Sequence, residues 1–318
     1  MRAMTIQQFG DPSGMRLRDV PDPDPAAGEV LIRTEAAGVG GVDAMIRRGT
    51  LGSDHPVGIV PGSEVAGTVI AVGPGIDSEL VGRRVWAFTG MTGGYAELAL
   101  ARVGDVLVLP DGLSSIDAVT LGSAGTVAHF ALAHAHTRAG DSVLVRGAAG
   151  SIGIAAVELA AQLGARVAVT TSSEDRGQRL RDLGATDVLD RAGVGPERSA
   201  NVFDVVIDIV GGADVPTFID RLAPNGRLVL VGAVAGFPPA DFGMALMQSF
   251  QASRSVGTFS LNSIVPVERD RVRAAQFASA ARGELHPVVH EVMQLENAAD
   301  AHRQMDRGVV FGRIVLVP

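Results

Sequence analysis

The sequence predicts an α/β protein in two parts, a small all-β unit and a doubly wound parallel sheet, and three observations carry that reading. From Met1 to Asp117 the apolar segments are short, β-branched and broken by Gly and Pro. From Asp141 to Thr258 strand-like and helix-like segments alternate. Between the strand "SVLVRG" and the helix "SIGIAAVELAAQLG", almost halfway along the chain, stands a glycine turn.

Taken in order, "EVLIRTEAAGVG", "EVAGTVIAVG", "RRVWAF" and "YAELALA" read as short strands with frequent turns, the pattern of a compact all-β unit such as a barrel. Further strands follow at "SVLVRG", "RVAVTT", "DVLD", "DVVIDIV", "GRLVLVG" and "RSVGTF", with "SEDRGQRLRDLG" as a second clear helix. Such alternation implies a parallel sheet covered by helices on both faces. The closing "VVHEVMQLENAADAHRQMDRGVVFGRIVLVP" supplies a strand, a helix and a last strand that can return to the first part.

Composition narrows the chemistry. The 318 residues suffice for two domains of ordinary size, and 47% hydrophobic with 19% charged residues marks a globular chain. No apolar run approaches the roughly 20 residues that span a bilayer, and "MRAMTIQQFG" lacks the apolar core of a signal peptide, so a cytoplasmic location is expected. The chain has no cysteine and no lysine, which removes disulfides, thiolate nucleophiles, sulfur-dependent zinc sites and Schiff-base catalysis. A net charge of -8 without a basic stripe argues against a nucleic-acid surface. The expected ligand is small.

In "RGAAGSIG", Gly147, Gly150 and Gly153 fall after a strand and at a helix start, where free backbone N–H groups can face a pyrophosphate. Ala149, Ser151 and Ile152 share that turn. Ligands of such sheets lie beyond the carboxyl ends of the strands, where "IVGG", with Val210, and "VGAVAG", with Gly232 and Ala233, also occur. A site for NAD commonly has a carboxylate about 20 residues past the glycines; here Thr171 and Ser172 stand at that point. Glu174 and Asp175 follow in the first turn of the next helix, where the helix dipole favours acids whatever the ligand.

"AAGVGGVDAMIRRG", "VPGSEVAGTVIAVG", "GGYAELA", "VLVRGAAGSIGIAAVELAAQLGARV" and "AADAHRQMDRGVVFGRIVLV" together resemble the zinc-free medium-chain dehydrogenases/reductases of the quinone oxidoreductase, or zeta-crystallin-like, branch. The resemblance covers nearly the whole chain. It implies a GroES-like β-barrel catalytic domain over residues 1–117 and 262–318, with a Rossmann dinucleotide-binding domain over 118–261. It also implies NADPH as cofactor, held by Thr126 and the turn residues above, with Ser172, Arg176 and Arg191 meeting a 2′-phosphate. Either arginine could instead be a solvated surface charge.

The same resemblance sets Gly40 where the zinc enzymes carry a cysteine ligand and Ser63 where they carry a histidine, so no metal is expected. Asp43 and Glu64 match positions that support the metal in those enzymes. Histidine offers no replacement. His134 and His136 are two apart, so on the helix "TVAHFALAHAH" they point in different directions, and His286 and His290 are separated by Pro287; each histidine reads as a surface or satisfied core residue.

Without metal, the expected reaction is hydride transfer to an acceptor already polarised by conjugation, a quinone or the C=C of an enone or enal. Gly40, Met45, Leu51, Ser63 and Tyr95 match substrate-pocket positions, and Met91, Met244 and Met247 suggest an adaptable apolar lining. Quinone oxidoreductases carry Asn where this chain has Gly40 and often Tyr where it has Met45, which weighs against quinone as the physiological acceptor. Tyr95, the one tyrosine, either donates a proton or packs. The alternative is a protein that holds NADPH as a redox sensor or structural ligand with little turnover. A homodimer is expected, joined through the strand-like "SVGTFSL", Ser255 to Leu261, which has no proline to protect it as an edge.

Overall fold

The structure is a computed structural model that describes residues 1–50, 55–196 and 201–318. It divides into two compact units, Met1–Ser123 with Pro266–Pro318, and Ala124–Val265.

The N-terminal segment forms β1 (Arg2–Ile6), β2 (Met15–Asp19), β3 (Glu29–Val39), α1 (Gly41–Arg48), β4 (Glu64–Val72), β5 (Arg84–Phe88), β6 (Leu98–Arg102) and β7 (Val106–Val108). The long α2 (Ser115–His134) follows. β1 and β2 make a two-stranded antiparallel sheet of their own. β3 organises the rest: β4 pairs along one edge, while β6 (at Glu29 to Arg33) and the C-terminal strand (at Ala37 to Val39) share the other. Its β-branched residues Val30, Ile32 and Val39 join Ile6, Val65, Val69, Val85 and Tyr95 in one core.

The middle segment is strictly parallel. It comprises β8 (Ser142–Arg146), α3 (Ser151–Gln162), β9 (Arg166–Thr170), α4 (Glu174–Asp182), β10 (Ala185–Leu189), β11 (Phe203–Asp208), α5 (Val215–Asp220), β12 (Leu222–Leu230), α6 (Met244–Gln248) and β13 (Ser255–Thr258). The sheet order is β10-β9-β8-β11-β12-β13, so the chain winds outward one way and then the other from the β8/β11 junction, the switch point of a doubly wound sheet. β8 is buried at every residue, as a central parallel strand covered on both faces must be.

The C-terminal segment supplies α7 (Pro266–Ala281), β14 (Val289–Gln294), α8 (Ala298–Asp306) and β15 (Arg313–Val317). β14 and β15 complete a seven-stranded sheet by pairing β15 with β3, which is the return read from the closing sequence.

Three sequence readings need correction. α2 is, by length and composition, long and apolar enough to cross a bilayer, although no run of that kind was expected; 61% of its apolar window is buried, as in a core helix. His136 does not share a helix with His134, because α2 ends at His134 and His136 has φ 52. The edge strand ends at Thr258, and Leu261 belongs to a short 3-10 turn.

Candidate active site

In the middle unit the predicted cofactor residues stand at the carboxyl ends of consecutive strands. β8 runs into Gly147, whose φ of 81 is left-handed; a side chain there would also crowd Ile209 at 3.2 Å and Val210 at 3.3 Å. Gly150 precedes α3 in extended conformation, so the N–H groups of Ser151, Ile152 and Gly153 open the helix without intrahelical partners. Gly153 packs so tightly that a Cβ would come within 2.3 Å of the Gly147 carbonyl oxygen.

β9 and β10 pair in register at Thr170 and Leu189, and Thr171 N–H donates to the Leu189 carbonyl at 2.9 Å. Ser172 and Arg176, after β9, and the exposed Arg191, after β10, therefore lie at adjoining strand ends beside the glycine turn. Ser173 caps α4, its hydroxyl accepting the Arg176 N–H at 3.3 Å, and this fixes Arg176 in the first turn. Glu174 and Asp175 occupy the exposed start of α4. Past β11 and β12, the Ala235 N–H, two residues beyond Ala233, donates to the Val210 carbonyl at 2.8 Å, and Gly232 packs on Ile209. Thr126 is buried on α2.

In the other unit the structure gathers a buried polar cluster that the sequence did not announce. Asp43, in the first turn of α1, accepts the Gly40 N–H at 2.8 Å, the Tyr95 hydroxyl at 3.2 Å and the Ser63 hydroxyl. Tyr95 Oη lies 3.3 Å from His302 Nε2, and Arg47 Nε donates to His302 Nδ1 at 3.2 Å. Because Nδ1 accepts, the ring proton sits on Nε2 and donates to Tyr95, which leaves the tyrosine hydrogen for Asp43. Arg47 also grips Asp306 with Nη2 at 2.7 and 2.8 Å from its two carboxylate oxygens.

Burial governs the charges here. Asp43 is pushed up to about 6, chiefly by desolvation, against the Gly40 N–H, the Arg313 charge and the Tyr95 and Ser63 hydroxyls. His302 is pushed down to about 3 by burial and then by the Arg47 charge. Tyr95 is held well above its ordinary value by burial and by Asp43. Glu64 accepts the Ser123 N–H at 2.8 Å, and its other oxygen lies 2.8 Å from Arg313 Nη2, close enough for an ion pair but off the line of a hydrogen bond.

Gly40, Ser63 and Tyr95 thus meet around Asp43, with Met45 half-buried on the same helix. Tyr95 is fully buried with its hydroxyl engaged on both sides. Leu51 lies outside the described residues. Met91 falls in the first unit and Met244 and Met247, both exposed, in the second. Among the described residues no three His, Asp or Glu side chains stand where they could hold a metal, Gly40 offers no donor and Ser63 faces Asp43, so these positions do not fit a zinc site. Sequence reading missed Arg47, His302, Asp306 and Arg313; the helical spacing of Asp43 to Arg47 and of His302 to Asp306 was the available signal.

Known families match both units: the Alcohol dehydrogenase GroES-like domain over residues 26–111 and the Zinc-binding dehydrogenase family over residues 151–276. Quinone oxidoreductase of Sus scrofa is 32% identical over 100% of this chain and 98% of its own, and that of Homo sapiens is 30% identical over 100% and 98%. Among solved structures, a mycobacterial protein complexed with NADPH superposes with a TM-score of 0.89 at 32% identity, covering all of both chains. A quinone oxidoreductase of Pseudomonas syringae superposes with a TM-score of 0.89 at 25% identity, over 100% of this chain and 99% of that one. Similarity that runs end to end through both a GroES-like unit and a Rossmann unit makes this chain a medium-chain dehydrogenase/reductase, an oxidoreductase of the quinone oxidoreductase family.

Proposed function

We propose that the protein is an NADPH-dependent, zinc-independent reductase that transfers hydride to a conjugated acceptor, a quinone or the C=C of an enone or enal. The reading rests on the kinship with quinone oxidoreductases and on a mycobacterial relative solved with NADPH. The observation that carries it is the grouping of Ser172, Arg176 and Arg191 at the ends of β9 and β10, where an NAD site would present a carboxylate. The N–H groups opening α3 and the turn from Gly147 to Gly153 would hold the pyrophosphate, and Arg176 and Arg191 the 2′-phosphate, each as a planar fork of donors. Val210, Gly232 and Ala233 would flank the nicotinamide half. When bound, NADPH supplies the hydride; this chain's part is to bind and orient it and to exclude zinc chemistry through Gly40 and Ser63.

The test is cofactor affinity. Arg176→Ala and Arg191→Ala should each weaken NADPH binding about tenfold to a hundredfold, the loss of a charge-assisted contact of about 1.5 to 3 kcal/mol, and leave NADH binding nearly unchanged. Equal losses for the two cofactors, or a wild-type preference for NADH, overturn the 2′-phosphate reading.

A further inference from the structure

Three loops that follow β8, β11 and β12 are locked together within the middle unit. The Ile209 N–H donates to the Arg146 carbonyl at 3.2 Å, which carries the pairing of β8 with β11 one step past its last register pair. Beyond it the chain turns through Gly211 and Gly212, whose φ of 65 and 78 are left-handed. A Cβ on Gly211 would lie 2.8 Å from the Gly236 carbonyl oxygen, and one on Gly212 2.9 Å from Ala235 Cβ, so this turn lies directly on residues 235–236. The Gly212 N–H donates to the Gly236 carbonyl at 2.8 Å, and the Ala235 N–H to the Val210 carbonyl. On the other side a Cβ on Gly147 would meet Val210 at 3.3 Å.

One carboxylate holds the centre of this arrangement. Asp208 Oδ1 accepts the N–H groups of Val210 and Gly211, and Oδ2 accepts from Arg146 Nη1. Asp208 is 0% and Arg146 3% exposed, so neither side chain is offered to a ligand. Replacing a buried ion pair by apolar residues is often neutral or stabilising, so fold stability alone gives no reason for charges at the ends of two central strands. What apolar residues would not do is satisfy two loop N–H groups at one oxygen. A turn with two glycines needs such a restraint, because glycine leaves its backbone more conformations to lose. Burial raises the Asp208 carboxyl above its ordinary value, while the Arg146 charge and the two N–H groups oppose this and favour the ionised acceptor.

We propose that Asp208 is a positioning residue for the cofactor, and that with Arg146 as its counter-charge it sets residues 210–212 against the Gly147 turn before any cofactor arrives. This deepens, and rests on, the reading above in which the Gly147 turn holds the pyrophosphate and Val210 flanks the nicotinamide half. Asp208 acts through the loop backbone and touches neither cofactor nor acceptor. The phosphate contacts assigned to the N–H groups opening α3, to Arg176 and to Arg191 do not pass through this loop. A loosened loop should therefore spare affinity and lose orientation, and misplacement by about 1 Å costs up to about a hundredfold in rate.

The experiment titrates the full chain with NADPH and reads affinity, the emission anisotropy of the bound nicotinamide, and kcat for a cyclic enone. Two double variants remove both charges together, so that none is stranded. In Arg146→Met/Asp208→Asn the amide oxygen can still accept the two N–H groups, and in Arg146→Met/Asp208→Ala nothing can. The alanine variant should bind NADPH within about threefold of wild type. Its anisotropy should be lower, and its kcat about tenfold to a hundredfold lower. The asparagine variant should recover most of both.

Wild-type anisotropy in the alanine variant overturns the proposal, as does an asparagine variant impaired as much as the alanine one. An alanine variant whose NADPH affinity falls in step with kcat overturns it too, since the whole site has then collapsed. If the alanine variant does not fold, amide exchange in NADPH-free wild type decides: Val210 and Gly211 should exchange slowly, and exchange at the rate of an unstructured peptide overturns the proposal. If wild type binds no NADPH, the cofactor reading falls and this proposal with it. If wild type binds NADPH but reduces no enone, affinity and anisotropy decide alone.

Discussion

Arg146 Nη1 lies 2.5 Å from Asp208 Oδ2, both side chains buried, at residues that pair in register at the carboxyl ends of β8 and β11. Asp208 Oδ1 accepts the N–H groups of Val210 and Gly211 at 2.9 and 3.0 Å, and the guanidinium sits 3.8 Å from the centre of the Phe218 ring. The pair therefore ties the root of the glycine turn to the loop that follows β11. Burial raises the Asp208 carboxyl above its ordinary value, and the Arg146 charge opposes this. Arg146→Met should strand that carboxyl and destabilise the protein by about 3 to 5 kcal/mol, with part recovered in Arg146→Met/Asp208→Asn. Urea unfolding of the two variants checks it; a single variant as stable as wild type contradicts it.

Acid should act through His302. Its folded value of about 3 lies below the ordinary 6.5, so the unfolded chain binds the extra proton between those values and stability falls as pH drops below 6.5. Asp43 works the other way: its folded value of about 6 lies above 3.8, so the folded chain binds the extra proton and gains stability as pH drops through 6. At pH 5 the His302 loss is about 2 kcal/mol, larger than the gain of about 1 kcal/mol from Asp43. His302→Gln should remove that loss, so unfolding at pH 7 and pH 5 should show the variant gaining about 2 kcal/mol on wild type at the lower pH. An identical pH dependence in both proteins contradicts this.

Two glycines of the turn should fail differently. In Gly153→Ala the new methyl would meet backbone at 2.3 Å from Gly147 O and 2.6 Å from Ala148 Cα, an overpacking worth about 1 to 3 kcal/mol. In Gly150→Ala the nearest atom is 3.8 Å away, so the fold should tolerate it, yet the methyl would stand where a phosphate approaches the helix. Thermal unfolding should single out Gly153→Ala, and NADPH titration should register both.

The edge strand β13 gives a prediction about assembly. Phe259 N–H points inward to the Leu230 carbonyl at 2.9 Å, so by strand alternation the Val256 N–H points away from β12. A homodimer joined along this edge should be lost in Val256→Pro, which removes an outward donor and leaves the β12 ladder intact. Sedimentation of wild type and variant tests it; a monomeric wild type at micromolar concentration removes the prediction.

The parallel sheet was legible because its signals are local: each strand and its following turn lie within a few residues, as with Arg146 to Gly147 or Thr170 to Ser172. The buried cluster was not, because Tyr95 meets Asp43 from 52 positions away and His302 from 207, and no local period records such contacts. α2 was read only in its second half, as the helix "TVAHFALAHAH", and its full length from Ser115 escaped for a different reason. Its apolar residues run around all faces, so no amphipathic stripe marked it as one helix.

The most direct measurement mixes chelator-treated, NADPH-loaded protein with a panel of enones, enals and quinones in a stopped-flow instrument and follows oxidation of the bound cofactor. The account predicts rapid oxidation by at least one conjugated acceptor, at a rate that chelation leaves unchanged and zinc does not raise. NADPH that binds tightly but is oxidised by none of them, or activity that disappears with chelation and returns with zinc, would contradict it.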